Sequence, residues 1–527
     1  MWSIEVEVEV EVMMMRISSS SLLKLLLALL VCFFIAQLAI FYNIFTSDGC
    51  ANARTTQLMP KSKRLKAKSR IPTKPNPEGY FNGNPIVYRP YVPGWHSSIH
   101  CVGDNFAPYA WKYRSCRFSN FCFDMSSKSF VLFSSPELLN LEKAMKDAKL
   151  TRFTTAFSMN TTVSIGGINN KWPNDDIQNM EWFPEIRSVE EIESSGGYYT
   201  FTNDATLLPF HSLAGFNPGH LVWDDFLPIF TILTMFQLLE TNLVLMRYKP
   251  KFLQWASCDK RWSKGRKPHC KTMMRKFLPL IGQSLEVMTT QENFNVTWAE
   301  NNNNTNRTKY VCANNGAAGL GMLTDHGPKM HGWDLEDYGI THNSGRGGML
   351  YDFRNWMVTN INIDPYKRIS KSPYIIVFNV NSSNKATRYV HFKEHMKRLK
   401  DRLGKKYDLD IRVETMSNMS LHEQIELVSG ASIMVTACGG GAVTAMFLPK
   451  GASLLVFFSE KERQGSAMPR LDWDLLNNLS YLRVHWMPRP QRISFGNHEG
   501  PREADYEAFI SLIDHELDDI SHSSTGW

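Results

Sequence analysis

The sequence predicts an α/β protein with a parallel sheet in its C-terminal third. A membrane-spanning helix and a stem are predicted to precede the globular part of the chain. Three observations support this prediction. The chain has 527 residues, 43% of them hydrophobic and 21% charged, so it is long enough for two or three globular domains. A long apolar run lies near the N-terminus. In the C-terminal third, continuous apolar strands alternate with helical patterns, which is typical of a parallel sheet covered on both faces.

The apolar run at residues 22–45 reads LLKLLLALLVCFFIAQLAIFYNIF. Its 24 residues exceed the roughly 20 that an α-helix needs to cross a bilayer. We therefore predict a single-pass signal anchor there, preceded by a cytoplasmic tail at residues 1–21. A cleaved signal peptide, with the small residues at 51–53 as its cleavage site, is the alternative. Its apolar region would be longer than the usual length of about 7–15 residues.

Residues 46–98 are rich in Lys, Pro, Asn and Ser and predict a flexible, basic stem. Seven basic residues and no acid lie between positions 54 and 70, and these seven equal the whole net charge of +7. The rest of the chain is therefore neutral. Because a nucleic-acid-binding protein carries its positive charge on the folded body, the composition does not indicate that class.

Two patterns disagree about the side of the membrane that the body occupies. The basic stem follows the anchor, and the positive-inside rule would place such a body in the cytoplasm. Seven Asn-x-Ser/Thr sequons favour a lumen, where alone they can be glycosylated. The eight cysteines outside the anchor lack zinc-ligand spacing, so disulfides are favoured over a metal site. We predict a luminal body of a type II membrane glycoprotein. The sequons begin at Asn160, Asn295, Asn303, Asn306, Asn381, Asn418 and Asn478.

The sequence NPGHLVWDD, which starts at Asn217, combines a helix start with a histidine and two carboxylates. Asn217 can cap a helix, and the proline after it suits the first turn. His220 and Asp224 fall at i and i+4, which places them on one face of an α-helix. A histidine that a carboxylate orients is a candidate general base, and Asp225 is a further candidate. The structural alternative is an acidic pair that the helix dipole favours, beside a structural histidine.

A second polar stretch, at residues 331–354 around the sequence HNSGRGG, contains two histidines and two arginines together with several acidic residues. No Glu or His recurs there at a metal-ligand spacing, so we interpret it as a solvated loop with salt bridges. Its charged and titratable residues include His331, His342, Arg346, Asp352 and Arg354.

The C-terminal third alternates between strands and helices. Ser420 and Glu423 have the spacing of a capping box, which marks the start of one of the helices. The predicted strands lie at residues 374–378, 409–413, 432–436 and 454–458, and the predicted helices lie at residues 390–403, from 421 onward, and at 502–520.

Gly439, Gly440 and Gly441 separate one predicted strand from a short helix that ends at Phe447. Without Cβ atoms the backbone can approach a phosphate closely, and the amides at a helix N-terminus point towards it. The position is the carboxyl end of a parallel strand, where open α/β sheets bind ligands. Neither GxGxxG nor a Walker lysine accompanies the loop, so a tight packing turn is the alternative.

Together these motifs resemble glycosyltransferase family 61. Residues 420–458 read SLHEQIELVSGASIMVTACGGGAVTAMFLPKGASLLVFF and are similar to the family's run of S-x-x-E-Q, S-x-A, H-G-A-G-L-T-N and F-L-P-P-G. The sequence NPGHLVWDDFLPIF resembles the family's histidine-and-aspartate helix. The resemblance extends from about residue 209 to residue 458, which is about half of the chain.

This resemblance implies a GT-B-like fold, in which two Rossmann-like domains face a cleft. We place the acceptor-side domain at residues 99–371, the nucleotide-sugar-binding domain at 372–500 and a C-terminal helix at 501–527. The implied activity is inverting transfer of a sugar from a nucleotide sugar, here a UDP-sugar, to a hydroxyl of a glycan or glycoprotein. The implied location is the Golgi or endoplasmic reticulum membrane.

The resemblance also implies the roles of individual residues. The base would come from His220, Asp224 or Asp225, and no metal is essential. The nucleotide-sugar site would comprise Gly439, Gly440, Gly441, Thr444, Arg388 and Glu423.

The chain departs from the family pattern at three positions. Cys438 stands in place of the histidine of the glycine loop, and Thr444 stands in place of an asparagine. Asn379 stands where the first donor-domain strand often ends in an arginine, although Arg388 lies nearby in the sequence. These departures keep a second class open, a luminal glycan-binding protein without catalytic activity. A membrane-tethered hydrolase is disfavoured, because the chain has neither a G-x-S-x-G nor an HExxH motif.

Overall fold

The computed structural model of the chain describes residues 80–81, 84–102, 115–136, 140, 170–171, 184–210, 217–247, 266–283, 289–290, 309–319, 331–332, 346–380, 391–458, 475–488 and 503–523. For some of these, His220 and Asp224 among them, only the backbone is described. The chain divides into two units, Met1–Pro72 and Thr73–Trp527, and every described residue belongs to the second. The predicted anchor lies outside the described residues. Among those described, no helix combines the length and the apolar character needed to span a bilayer.

The strands of the N-terminal half that the structure describes are, in chain order, β1 (Tyr80–Phe81), β2 (Asn84–Pro90), β3 (Ser98–Val102), β4 (Ser115–Asp124), β5 (Ser129–Ser134), β6 (Asn170–Lys171), β7 (Glu185–Ser188), β8 (Gly197–Phe201), β9 (Ala205–Phe210), β10 (Asn242–Arg247), β11 (Thr289–Thr290), β12 (Tyr310–Gly319) and β13 (His331–Gly332). All but β6 and β13 belong to one sheet with the main order β1-β2-β8-β12-β4-β5-β7. In addition, β3 pairs with β4, β9 with β12 and β10, and β11 with β10, while β6 and β13 form a separate pair.

This large sheet is mixed. Strand β12 runs antiparallel to β4 but parallel to β8 and β9. The short turn between β4 and β5 leaves no room for a crossover helix, so these two strands pair antiparallel. The N-terminal half therefore differs from the parallel, Rossmann-like sheet that the family resemblance implies.

Two disulfides among the described cysteines join β4 to its neighbours. Cys101–Cys116 links β3 to β4, and Cys122–Cys312 links β4 to β12. In each case the two cysteines lie directly opposite each other in the strand register. The prediction of disulfides rather than a zinc site is confirmed for these four cysteines.

The described helices are α1 (Val189–Ser194), α2 (Pro218–His220), α3 (Leu227–Met235), α4 (Arg266–Phe277), α5 (Gly347–Asn360), α6 (Lys393–Leu403), α7 (Leu421–Val428) and α8 (Glu503–His522). A π-helical segment, Leu221–Phe226, joins α2 to α3. Short 3₁₀ helices lie at Leu278–Ile281, Met416–Asn418 and Gly440–Phe447.

The C-terminal sheet consists of β14 (Tyr374–Asn379), β15 (Leu409–Glu414), β16 (Ile433–Ala437), β17 (Ser453–Phe458) and β18 (Arg483–Pro488), in the order β15-β14-β16-β17-β18. All four pairings are parallel. The predicted parallel sheet is therefore confirmed, and the four predicted strands correspond to β14–β17 within one residue at each end. Its last strand, β18, is not among those that the sequence patterns indicate.

Alternate side chains of this sheet enter two different cores. Val377 and Met434 belong to a core that also includes Leu208 and Leu245 of the N-terminal sheet. Helices α3, α5 and α7 and the 3₁₀ helix after β16 contribute to the same core, which we call the shared core. On the opposite face, residues such as Val435 pack with α6 and α8. The three central strands, β14, β16 and β17, are thus buried on both faces, which explains why their sequences are mostly apolar.

Helix α8 is tied to the amino-terminal edge of the C-terminal sheet by a buried carboxylate. Glu516 is 1% exposed and accepts hydrogen bonds from Arg483 Nε at 2.6 Å and from Ser453 Oγ, while His485 Nε2 lies 2.9 Å away. Burial alone would raise the pKa of Glu516, but the bonds from His485, Ser453 and Arg483 outweigh it and lower the pKa to about 2.

We expect acid to destabilise the protein in two steps. Burial beside aromatic rings lowers the pKa of His395 from 6.5 to about 4. Between these two pH values the unfolded chain is protonated at His395 while the folded chain is not. Stability therefore falls as the pH drops from 6.5 to 4. Glu516, with a pKa of about 2 against 4.5 when unfolded, adds a second loss between pH 4.5 and 2. Each step amounts to about 3 kcal/mol.

The variant His395→Leu should remove the first step and keep the second. Urea unfolding of wild type and variant at several pH values between 7 and 3 measures this. If both proteins lose the same free energy of unfolding between pH 6.5 and 4.5, where only His395 titrates in this scheme, the assignment is wrong.

Candidate functional site

The strand order of the C-terminal sheet defines where a ligand is expected. The chain leaves β14 towards β15 on one side, whereas it leaves β16 towards β17 on the other side. The carboxyl ends of β14 and β16 therefore form a topological switch point, and open α/β sheets bind ligands in the crevice at such points. The residues at these two strand ends are Asn379 and Ala437, and the three glycines follow the second.

The glycines form a sharp turn into a helix. Gly439 has φ +131°, a conformation that favours glycine, and its carbonyl accepts a hydrogen bond from the amide of Ala442 at 2.7 Å. The 3₁₀ helix Gly440–Phe447, which we call the glycine helix, begins directly afterwards. The first amides of a helix have no intrahelical acceptor and carry partial positive charge, so this end of the glycine helix suits an anion.

The segment that begins at Asn217 forms the predicted helix start. The Asn217 side chain accepts a hydrogen bond from the amide of Gly219 at 3.0 Å, and Pro218 occupies the first turn. The predicted cap is therefore confirmed. The helix then changes at Leu221–Phe226 into a π-helix, a rare form that frequently occurs at functional sites. Its i→i+5 hydrogen bonds widen the turn, so the α-helical i, i+4 geometry assumed for His220 and Asp224 does not apply unchanged.

These two segments, distant in sequence, contact each other. A Cβ atom placed on Gly440 would lie 3.4 Å from Pro218 Cγ and 3.6 Å from Asn217 Oδ1. A Cβ atom on Gly219 would lie 3.8 Å from a methyl group of Val443 in the glycine helix. The helix start of residues 217–219 therefore packs directly against the N-terminal end of the glycine helix, at the switch point.

Of the three candidate bases, the structure describes one side chain. Asp225 lies in the π-helical segment and is 1% exposed. Burial at this level separates its carboxylate from solvent. His220 is the last residue of α2 and Asp224 lies in the π-helix, and their side chains lie outside the described part of the structure.

The remaining candidates for the nucleotide-sugar site differ in their surroundings. Thr444 is 6% exposed within the glycine helix. Glu423 is exposed and completes the predicted capping box, since its Oε2 accepts from the amide of Ser420 at 2.7 Å while Ser420 Oγ accepts from the amide of Glu423 at 3.2 Å. The hydrogen bonds from Ser420 lower the pKa of Glu423. Arg388 lies outside the described residues.

Two of the three departures from the family pattern, Asn379 and Cys438, lie at the switch point. Asn379 is fully buried and donates a hydrogen bond to Thr436 Oγ1 at 3.1 Å. Cys438 is half-buried, is not disulfide-bonded, and its amide bonds the carbonyl of Phe457 at 2.9 Å. Neither an asparagine nor a cysteine side chain can carry the positive charge that an arginine or a protonated histidine would bring to a bound diphosphate.

Sequence patterns alone missed a buried arginine behind the glycine helix. Arg354 lies in the 14-residue helix α5 and is 0% exposed, so its interpretation as part of a solvated loop is wrong. Burial lowers the pKa of its guanidinium group. A signal was present, because Leu350, Phe353 and Met357 have the spacing of a buried helical face that also includes Arg354.

One group of described residues could hold a cation, and it lies away from the switch point. It comprises His515, Glu516 and Asp519 on α8. Glu516 already bonds Arg483 and Ser453 at the amino-terminal edge of the sheet. Glu516 therefore already serves the buried ion cluster under α8, while His515 and Asp519 lie on the exposed side of the helix.

Part of the chain is similar to a known protein family. No curated protein matches the chain. Two solved structures are similar at low level: a flavodoxin-like domain from a Synechococcus species (15% identity, 28% of this chain and 94% of that chain, TM-score 0.18) and a family 9 glycosyl transferase from Veillonella parvula (11% identity, 60% of this chain and 97% of that chain, TM-score 0.25). At these TM-scores neither structure bears on the fold.

A family model, by contrast, matches the part of the chain that contains α5, the parallel strands β14–β16 and the glycine helix. The match spans residues 331–455, and it supports a glycosyltransferase. The segment at 217–225 lies outside it. The resemblance detected in the sequence is thus confirmed for residues 331–455, which match the model of the glycosyltransferase 61 family.

Proposed function

We propose that the chain is an inverting glycosyltransferase that moves a sugar from a nucleotide sugar to a hydroxyl group of a glycan or glycoprotein. The observation that carries this proposal is the contact between residues 217–219 and Gly440. This contact places the helix start that contains the candidate bases against the N-terminal end of the glycine helix, where free amides can bind an anion. The family match over residues 331–455 supports the same reaction class.

In the proposed reaction the diphosphate of the donor lies against the amides of Gly440 and Gly441. These amides stabilise the negative charge that the leaving diphosphate gains. The acceptor oxygen attacks the anomeric carbon from the opposite face, so the new bond forms as the bond to the diphosphate breaks. A base takes the proton of the acceptor hydroxyl. No resident metal ion is assigned a role in this reaction. Adding EDTA tests whether sugar transfer requires a divalent metal ion.

We propose His220 as the base and Asp224 as the carboxylate that orients it. Asp225 suits a positioning role better, because its carboxylate is 1% exposed and a base must meet an incoming hydroxyl. The acceptor would approach from the N-terminal half and the UDP-sugar from the C-terminal sheet, in a GT-B-like arrangement. Thr444, Glu423 and Arg388 complete the proposed donor site.

We further propose that the body is luminal, in the Golgi or endoplasmic reticulum, behind a type II anchor at residues 22–45. The disulfides and the seven sequons support this, and Asn418, which begins one sequon, is exposed. Deglycosidase treatment of the expressed full-length protein should increase its gel mobility. No mobility change, together with digestion of the body by protease added to the cytosolic side, would contradict a luminal body.

The function is tested with the glycosylated body produced in a secretory host. UDP release is measured for a panel of UDP-sugars, with and without glycan and glycopeptide acceptors. Acceptor-dependent release with one donor, and an inverted linkage in the product, support the proposal. UDP binding without transfer from any donor would instead favour the non-catalytic glycan-binding alternative, to which Cys438 and Asn379 point. If the protein shows neither UDP binding nor sugar transfer, the proposed donor site itself is refuted.

A further inference from the structure

The far end of the glycine helix is held by side chains from two separate parts of the chain. The last carbonyls of a helix lack intrahelical partners, and in a buried position each needs another donor. Ala445 O accepts from the amide of Leu448 at 3.1 Å. Met446 O accepts from the Tyr481 hydroxyl at 2.6 Å, and Phe447 O accepts from Arg354 Nη2 at 3.1 Å. All three terminal carbonyls are therefore satisfied.

Arg354 does more than cap this helix. Its Nη1 donates to the side chain of Asn355 at 2.8 Å and to the carbonyl of Pro365. The guanidinium thus connects α5, the segment after α5 and the glycine helix. Within the described residues its hydrogen bonds all reach neutral oxygens. A buried arginine is costly to desolvate, so such a position is best explained by the geometry it enforces.

Tyr481 reaches the same place from the segment before β18. The centroid of its ring lies 4.9 Å from the centroid of the Tyr351 ring. Arg354 Cζ lies 5.9 Å from the same Tyr351 centroid. Burial raises the pKa of Tyr481, so its hydroxyl stays protonated and donates at physiological pH. The two donors form one cluster, which we call the carbonyl clamp (Arg354 and Tyr481).

We propose that the carbonyl clamp positions the glycine helix, and through it the donor site. The inference rests on the proposed function for its consequence in catalysis, but the positioning itself can be measured without a donor. An eight-residue 3₁₀ helix is about 16 Å long, so the charge of Arg354 acts weakly on a diphosphate at the other end. The clamp acts by fixing where the Gly440 and Gly441 amides point.

Two variants test the clamp, each with a matched control on the opposite face of the C-terminal sheet. Tyr481→Phe removes one hydroxyl and keeps the ring, and Tyr407→Phe does the same where the hydroxyl bonds Asp514. Arg354→Lys keeps the positive charge but loses the geometry that bridges several carbonyls. Its control, Arg483→Lys, makes the same exchange at the Glu516 cluster. Melting temperatures establish that all four variants are folded.

The first readout is amide hydrogen exchange in the peptide that covers residues 439–448. In Tyr481→Phe we expect exchange in this peptide to be faster by roughly threefold to tenfold, because a buried carbonyl loses its hydrogen-bond donor. In Arg354→Lys we expect exchange to be faster still. The controls should leave this peptide unchanged. Unchanged exchange in both clamp variants, or equal acceleration in the controls, would overturn the inference.

The second readout is UDP affinity by calorimetry, which should fall by a similar factor in the clamp variants alone. If wild type binds no UDP while the exchange results are as expected, the carbonyl clamp stands and the proposed function fails. If wild type binds UDP and the clamp variants bind it equally well with unchanged exchange, the proposed function stands and the clamp fails.

Discussion

Replacing Gly440 with aspartate should reduce UDP affinity by about 100- to 1,000-fold. A carboxylate about 4 Å from a diphosphate charge costs about 4 kcal/mol at the effective dielectric of a protein surface. The space is also limited, since a Cβ on Gly440 already lies 3.4 Å from Pro218 Cγ. Calorimetry with UDP measures the loss, and circular dichroism checks that the variant is folded.

Two further substitutions at the same position separate charge from size. Gly440→Ala adds only a Cβ at ordinary van der Waals distance, so UDP affinity should stay close to that of wild type. Gly440→Asn has the shape of aspartate without its charge, and the difference between the two isolates repulsion of the diphosphate. Should the aspartate variant bind UDP as tightly as the asparagine variant does, no anion lies at this end of the glycine helix.

His220→Ala should lower kcat by roughly 100- to 10,000-fold, the contribution typical of a positioned general base, and leave UDP affinity intact. Steady-state kinetics and calorimetry on the same preparation separate the two quantities. Asp225→Asn keeps the shape of a buried side chain, and we expect a smaller loss if it positions the turn. The exposed His515, on α8, provides a matched control, because His515→Ala removes an imidazole far from the switch point.

Failure of this prediction has a specific meaning. If neither His220→Ala nor Asp225→Asn lowers kcat tenfold in folded protein that binds UDP, the base lies elsewhere. Residues 331–336, which include a histidine, an aspartate and a glutamate, are then the next candidates. A wild type that binds UDP but transfers nothing would instead point to a glycan-binding protein that has lost catalysis.

The C-terminal sheet could be predicted because its physical causes are local. Strands buried on both faces are largely apolar, and residues 374–378 and 454–458 show this directly. The capping box of Ser420 and Glu423 and the cap formed by Asn217 depend on atoms within three residues of each other. Short-range hydrogen bonds of this kind are visible in sequence.

Other features depend on contacts that no local pattern reveals. The sequence of Leu221–Phe226 predicts an α-helical period of 3.6, because nothing in its composition distinguishes a π-helix from an α-helix. The mixed order of the N-terminal sheet arises from pairings between distant strands. The charge of Arg354 favours an exposed loop position, whereas the helical spacing of its apolar neighbours indicates the helix that the structure shows. The roles of the site residues stay predictions.

The shared core also limits how the protein can be divided and how it can move. Excising residues 372–500 would expose the face of the sheet that includes Val377, Met434 and Leu454, and such a fragment should aggregate. Swinging the two sheets apart about a hinge would expose the same apolar surface, at a cost of roughly 2 kcal/mol for each large side chain. Donor binding is therefore expected to rearrange loops at the carboxyl edge, while the two sheets move as one rigid body.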